Sequence, residues 1–369
     1  MAATCRADQL GSLLRPAALV AARQKLASGE ISMDELRAAE DAAILDALKM
    51  QRMAGVDVFV DGEYRRFSFM TSFTEALDGF VPAPPNAHPM AWRGGSGEPD
   101  RSTNAQVVGA KLRLKHRIAE TEASFLAAHA PGPFKITLPS PLLFAQVGYR
   151  TEISQAAYGS RGELMRELAG FLHGEIAALI AEGTPYIQID APGYTHFADP
   201  ALREAYRSAG VDPDVALDEA VAADNACIAG IEGEGVALAV HLCRGNSRGR
   251  WLAEGSYEPI AERLFAGLNF QRFLLEYDSD RAGGFEPLRF LPKDKTVVLG
   301  LVSTKSPQME TQESLLRRID QAAAYVPMER LALSPQCGFA SSIPGNPLSQ
   351  DDQQRKLSLV AEVARKAWG

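Results

Sequence analysis

Cysteine is scarce in this chain. Four occur among 369 residues, at positions 5, 227, 243 and 337, and a core of this size needs no disulfide staples. No run of 18 or more apolar residues occurs, which excludes a helical membrane span. Basic residues are in deficit: 38 Lys and Arg face 46 Asp and Glu, for a net charge of −8. Nucleic acid is therefore not expected as a partner, because phosphate binding requires a basic face. The N-terminus, MAATCRADQLGSLLRP, carries charge where a secretory leader needs its apolar stretch. The protein is thus expected in the cytoplasm, with its thiols reduced and two disulfides a poor reading of the four cysteines. Cys227, inside the helix-like VAADNACIAGI, reads as a small buried hydrophobe. Repeats and low-complexity tracts are also missing. What remains, 46% hydrophobic and 23% charged residues, is the composition of a globular enzyme.

Short apolar or β-branched runs recur along the chain. They fall at 6–11, 56–60, 134–138, 186–190, 236–242, 272–277, 296–302 and 331–335. Helical spacing fills the gaps between many of them. Its clearest instance is 32–54, where Ser32 and Glu35 form a capping box ahead of Leu36, Ala43, Ile44, Ala47 and Leu48. Further helices are expected at 162–182, 214–231, 257–267 and 311–326, and at 350–367 behind a Ser349 cap. Eight strands alternating with helices predict an α/β fold, a single (β/α)8 TIM barrel over residues 1–369, with a doubly wound sheet as the next possibility.

Two stretches break the alternation. Residues 67–104 include the Pro- and Gly-rich FVPAPPNAHPMAWRGGSGEPD and read as a loop insertion, and residues 139–161 read as a second long loop. Loops that follow barrel strands lie on the active-site face, so both are placed to help roof a pocket.

The strongest chemical signal lies at the ends of the last four strands. His241 and Cys243 leave the fifth strand as HLC, Glu276 ends the sixth within LLEYD, and Cys337 follows the eighth in SPQCGF. Taken singly, each has a plain explanation: a core thiol, a hydrogen-bonded imidazole, a solvated carboxylate. Jointly they sit where barrel strand ends converge, and alternation puts His241 and Cys243 on one strand face. Thiolates, an imidazole and a carboxylate in a tetrahedral shell suit Zn2+.

With GS at Gly11–Ser12, VDGE at 60–63, YIQID at 186–190, HLC, LLEYDSD at 274–280 and PQCG at 335–338 in this order, the chain resembles the cobalamin-independent methionine synthases. The match is to their zinc-bearing C-terminal barrel, and to short stand-alone members above all. The resemblance implies zinc on His241, Cys243, Glu276 and Cys337. It also implies homocysteine held by Gly11, Ser12, Glu63 and Asp190, with Glu63 and Asp190 at the catalytic centre. Two carboxylates would receive the substrate ammonium, and backbone N–H groups at Gly11–Ser12 its carboxylate.

The chemistry follows from thiol acidity. A free thiol has a pKa near 8.5, so little thiolate is present at neutral pH. Coordination removes the proton, and a cysteine-rich site favours sulfur alkylation over water activation. The alkyl donor is expected to be either a methyl-folate or a methylated corrinoid carrier protein. Ala191 stands where the family's IQID block continues with an acidic residue, and Gln9 where stand-alone relatives often carry histidine; both departures weigh against folate. Arg15, Arg65 and Arg66 offer charge for an anionic substrate. Alternatives are an epoxide alkyltransferase acting on coenzyme M, a zinc-free lyase like uroporphyrinogen decarboxylase, and zinc storage without turnover.

Overall fold

The protein was analysed as a computed structural model that describes residues 5–84, 92–94, 106–231 and 235–369. Helices α1 (Ala17–Ala27), α2 (Met33–Ala54) and α3 (Thr71–Ala76) come first, then an antiparallel ribbon, β1 (Leu77–Pro82) with β2 (Gln106–Leu114). Next are α4 (Glu120–His129), β3 (Lys135–Pro139), α5 (Pro141–Gly148), α6 (Thr151–Ser154), α7 (Arg161–Ala181) and β4 (Tyr186–Asp190). The second half runs α8 (Pro200–Ser208), α9 (Pro213–Ala226), β5 (Ala237–Leu242), α10 (Ala261–Gly267), β6 (Arg272–Glu276) and β7 (Thr296–Val302). It ends with α11 (Gln312–Ala323), β8 (Leu331–Pro335) and α12 (Gln350–Trp368).

Strands β3 to β8 form one parallel sheet in sequence order. Every residue of β3, β4, β5, β6 and β8 is buried. Strands covered on both faces explain why these segments read as continuous apolar runs rather than alternating ones. The six expected strands from 134 onward are all present. The two earliest differ: 6–11 and 56–60 each contribute a parallel bridge, Ala7 beside Leu333 of β8 and Phe59 beside Phe134 at the start of β3. The Asp57 amide donates to the Ala7 carbonyl at 3.0 Å.

The expected helices hold with small shifts of boundary. Ser32 and Glu35 cap α2 reciprocally, and Ser349 with Asp352 does the same for α12. Two loop expectations are corrected. Residues 139–161 hold α5 and α6; α5, PLLFAQVG, is buried on nearly all sides and so shows no amphipathic period. In 67–104, residues 71–82 are helix and strand, while 85–91 and 95–104 lie outside the described residues. All four cysteines are free, and Cys227 is buried at the end of α9. Among the described residues no helix is long and apolar enough to cross a membrane.

Candidate metal and substrate site

Because the six strands are parallel, their C-terminal ends share one edge, and the register aligns Asp190 of β4 with His241 of β5. His241 Nδ1 lies 3.2 Å from the Leu274 carbonyl. A carbonyl only accepts, so Nδ1 donates there and Nε2 is the nitrogen left to bind a metal. That Nε2 is buried without a hydrogen-bond partner. His241, Cys243 and Cys337 bring one nitrogen and two sulfurs within 4.8 Å of one another. Cys243, and then His241, hold the Cys337 pKa well below the ordinary thiol value, while Cys337 and burial raise that of Cys243. A buried imidazole nitrogen beside two cysteine sulfurs is a donor set that fits a soft or borderline cation. The chain thus holds a His/Cys/Cys cluster able to coordinate a metal ion.

Glu276, at the end of β6, is not one of that trio and acts on the Cys243 thiol as a neighbouring charge. Its Oε2 accepts from the Arg244 amide at 2.7 Å and its Oε1 from Arg281 Nη2 at 3.2 Å.

Glu63 and Asp190 line the same cavity of about 150 Å³ as His241, Cys243, Cys337 and Ser12. Glu63 has φ 56°, a left-handed conformation uncommon outside glycine. Its Oε1 accepts from Thr137 Oγ1 at 2.9 Å, whereas Oε2 is buried and unpartnered. Burial raises the Glu63 pKa to about 7, against the opposing pull of Arg66 and with help from Asp190. Asp190 Oδ1 accepts from Gln188 Nε2 at 2.7 Å. Burial lifts its pKa to about 6, with His241 opposing. Two buried carboxylates with raised pKa values, one with an idle oxygen, form an electronegative pocket that a cation would relieve.

Leu10 and Ser12 line the pocket from the N-terminal segment, with Gly11 between them. A Cβ on Gly11, which has φ 133°, would stand 2.7 Å from Thr137 and 2.9 Å from Glu63 Oε1. One on Gly338 would collide with Ser12 Oγ. Both glycines therefore permit backbone approaches that a side chain blocks. The other wall is apolar, with Phe69, Met70, Trp92, Leu143, Val147 and Leu252. It draws on both stretches that were expected to roof a pocket.

Sequence reading missed several supporting groups and misjudged three. Arg15 and Arg66 are buried and committed. Arg15 donates to four carbonyls, of Glu63, Arg66, Ala340 and Ser342. Arg66 binds Glu122, Thr137 Oγ1 and the Thr137 carbonyl. Arg65 pairs with Glu40 and Asp41. None of the three lines the pocket. Thr137 and Gln188 went unnoticed, although inward alternation along β3 and β4 points to both. Gln9 is structural, donating to Gln51 and the Val58 carbonyl.

The family model for the cobalamin-independent synthase catalytic domain matches residues 6–89 and 146–364. The Bacillus subtilis protein YxjH is 36% identical over 98% of this chain and 94% of its own length. A methionine synthase of Sulfurisphaera tokodaii is 26% identical over 89% of this chain and 84% of its own. A Listeria monocytogenes crystal structure, assigned as a candidate vitamin-B12-independent methionine synthase, superposes with a TM-score of 0.74 at 27% identity. It covers 99% of this chain and 98% of that one. With the matched segments spanning most of its length and its metal cluster lying within them, this chain belongs to the cobalamin-independent synthase catalytic-domain family.

Proposed function

We propose that this protein is a zinc-dependent methyltransferase that methylates the sulfur of homocysteine to give methionine. The observation that carries the reading is the His241–Cys243–Cys337 cluster opening into the same cavity as Glu63 and Asp190. The two-sulfur, one-nitrogen donor set favours zinc. Glu276, which the resemblance assigns to the metal, is proposed as a fourth ligand that exchanges with substrate. Zinc bound there would lower the thiol pKa of a substrate and hold its sulfur in place.

The chain's own residues do the rest. Glu63 Oε2 and Asp190 are positioned to receive an ammonium, with Thr137 and Gln188 holding each carboxylate in one orientation. The Gly11–Ser12 turn offers room for the substrate carboxylate, and the apolar wall excludes water from the reacting sulfur. In the transfer, the sulfur lone pair forms the new S–C bond and the donor keeps the electrons of the bond that breaks. The donor is proposed to be a methyl-folate or a methylated corrinoid carrier protein. A sulfonated thiol such as coenzyme M is disfavoured, since the charged side chains lining the cavity include two carboxylates and the nearby Arg15 and Arg66 are spent on internal partners.

The same reading places the whole chain in one closed eight-stranded barrel, with 67–104 as an insertion. It is supported by the bridges at Ala7 and Phe59, which extend the parallel order at both edges of the sheet. Cytoplasmic residence is proposed from the four free thiols.

The test is metal content together with methylation of homocysteine and coenzyme M against a donor panel. Stoichiometric zinc with methionine formation is expected. Cys337→Ala is expected to lose most of the zinc while keeping its circular-dichroism spectrum; full zinc retention in that variant would refute the site.

A further inference from the structure

Asp224 lies in the last turn of α9 and is fully buried, yet it does not line the cavity. No cation is among the groups that act on it. Its Oδ1 accepts from Ser140 Oγ at 2.7 Å, and the same Oγ accepts from the Leu142 amide at 3.1 Å as the cap of α5. The Ser140 amide in turn donates to the Asp190 carbonyl at 3.0 Å. Tyr194, equally buried, sits in the 3-10 turn Pro192–Phe197 that follows Asp190. Its Oη and Asp224 Oδ2 are both buried without a hydrogen-bond partner. The two groups act on each other. Burial and then Asp224 raise the tyrosine pKa; burial lifts that of Asp224 to about 7, with Ser140 and then Tyr194 opposing. A carboxyl buried without a cation is costly, and the two hydroxyls beside it belong to different walls of the cavity. Helix α5 contributes Leu143, Gln146 and Val147 to the lining, and the turn contributes Pro192, Gly193 and His196. The turn also meets the metal cluster's backbone, Thr195 Oγ1 donating to the Cys243 carbonyl at 2.9 Å.

We propose that Asp224 is a positioning residue that reaches the site from the helical layer, joining α5 to the turn 192–197 through Ser140 and Tyr194 and so fixing the wall beside Asp190. Its effect on homocysteine rests on the reading that the cavity binds that thiol. Strands β3 and β4 are neighbours whose last residues, Pro139 and Asp190, are paired. The two chain exits therefore leave the sheet side by side, and the sheet does not set the direction either one takes. Neither exit is long enough to hold its own course: α5 has 8 residues and the turn 6, short of what a helix needs to be stable alone. One side chain between them, meeting a hydroxyl from each, supplies that direction. An amide in the same place serves as well, accepting from Ser140 and donating to Tyr194 Oη, whereas a methyl group meets neither.

The experiment compares wild type with Asp224→Asn, Asp224→Ala, Ser140→Ala and the double alanine variant. Homocysteine binding is read by calorimetry, zinc affinity by chelator competition, and the opening of each segment by amide hydrogen exchange. Asp224→Ala is expected to speed exchange about tenfold across α5 and residues 192–197 while β4 is unchanged. Homocysteine should weaken by about the same factor, the worth of one ordinary hydrogen bond, with zinc affinity held within about twofold. Ser140→Ala should do less, and adding it to Asp224→Ala should change nothing further, because the pair acts as one unit. Asp224→Asn is expected to match wild type. Unchanged exchange in the two segments overturns the proposal, as does homocysteine affinity that Asp224→Ala leaves intact. Additive alanine effects, or an asparagine variant as impaired as the alanine one, overturn it equally. So does zinc lost in step with homocysteine, which marks a general loosening of the fold. If Asp224→Ala does not fold, Ser140→Ala decides by the same exchange and binding measurements. Wild type that takes up zinc and ignores homocysteine sinks the substrate reading instead, and the exchange comparison then judges Asp224 without it.

Discussion

At the scale of single residues, the site is built from groups held at an electrostatic disadvantage. Burial raises the Glu63 pKa to about 7. An unfolded glutamate titrates near 4.3. Between those values the folded state holds a proton that the unfolded state has released, so stability falls as pH rises through that window. The cost is fully present above pH 7, on the order of 3 kcal/mol. Glu63→Gln keeps the acceptor for Thr137 and removes the buried charge. Its melting temperature at pH 8 is therefore expected to exceed that of wild type, with the gap closing toward pH 5. Function runs the other way. Homocysteine affinity is expected to strengthen as pH rises from 6 to 8 and Glu63 ionises. That dependence should flatten in Glu63→Gln; an unaltered pH profile would argue that Glu63 does not meet the ammonium. Asp190→Asn should weaken homocysteine more than zinc, as calorimetric titration of each would report; equal losses would contradict the role assigned to it.

At the scale of elements, legibility depended on what each pattern needs. The metal trio was visible because His241, Cys243 and Cys337 are unusual residue types at ends of runs that are plainly strands. The capping box at Ser32 and the cap at Ser349 were visible because they are local. Helix α5 was not, since a short helix buried nearly all round has no polar face to mark its period. Ribbon β1–β2 was not, because its strands pair across 23 intervening residues, 83–105, and neither strand signals its partner. Arg15 was misjudged for a related reason: in sequence an arginine reads as a solvated cation. In the fold its guanidinium joins three segments, the N-terminal turn, residues 63–66 and residues 340–342, through four carbonyls. Arg15→Met takes the guanidinium donor from the Arg66 and Ala340 carbonyls, while those of Glu63 and Ser342 keep the Arg66 and Gly345 amides. A loss of about 3 kcal/mol or more is expected, as a lowered denaturant midpoint at unchanged m-value. Its homocysteine affinity should drop as well, because Glu63 and Ser12 are carried by the segments it ties; a normal midpoint would show that the staple is dispensable.

At the scale of the whole molecule, the N-terminal half of the sheet has a charged interior where apolar packing is the usual solution. Asp8, Lys135, Tyr186 and Arg272 are all buried there. Lys135 Nζ donates to Asp8 Oδ1 at 2.6 Å, Tyr186 to Asp8 Oδ2 at 2.8 Å, and Arg272 lies 3.4 Å from Asp8 Oδ2. These residues come from the N-terminal segment, β3, β4 and β6, so one carboxylate gathers four separate parts of the chain around two cations. The cluster also reaches the site. Lys135 donates to Gln188 Oε1 at 2.9 Å, and Gln188 in turn donates to Asp190. An amide that accepts at one end is obliged to donate from the other, so Lys135 fixes which face of Gln188 meets Asp190. Asp8→Asn removes the one negative charge among these four side chains and leaves Lys135 and Arg272 facing each other. Breaking a buried pair in this way costs roughly 3–5 kcal/mol, measurable by urea denaturation. Burial already lowers the Lys135 pKa despite Asp8, and losing Asp8 lowers it further. The unfolded lysine, near 10.4, then binds more protons than the folded one over the intervening range, so stability rises with pH there. The variant should recover part of its loss as pH rises toward the unfolded lysine value, more steeply than wild type, while zinc stoichiometry at the opposite strand ends is unchanged. A penalty that does not respond to pH would mean that Lys135 stays protonated without its partner, and the interior would then be more polarisable than its packing suggests.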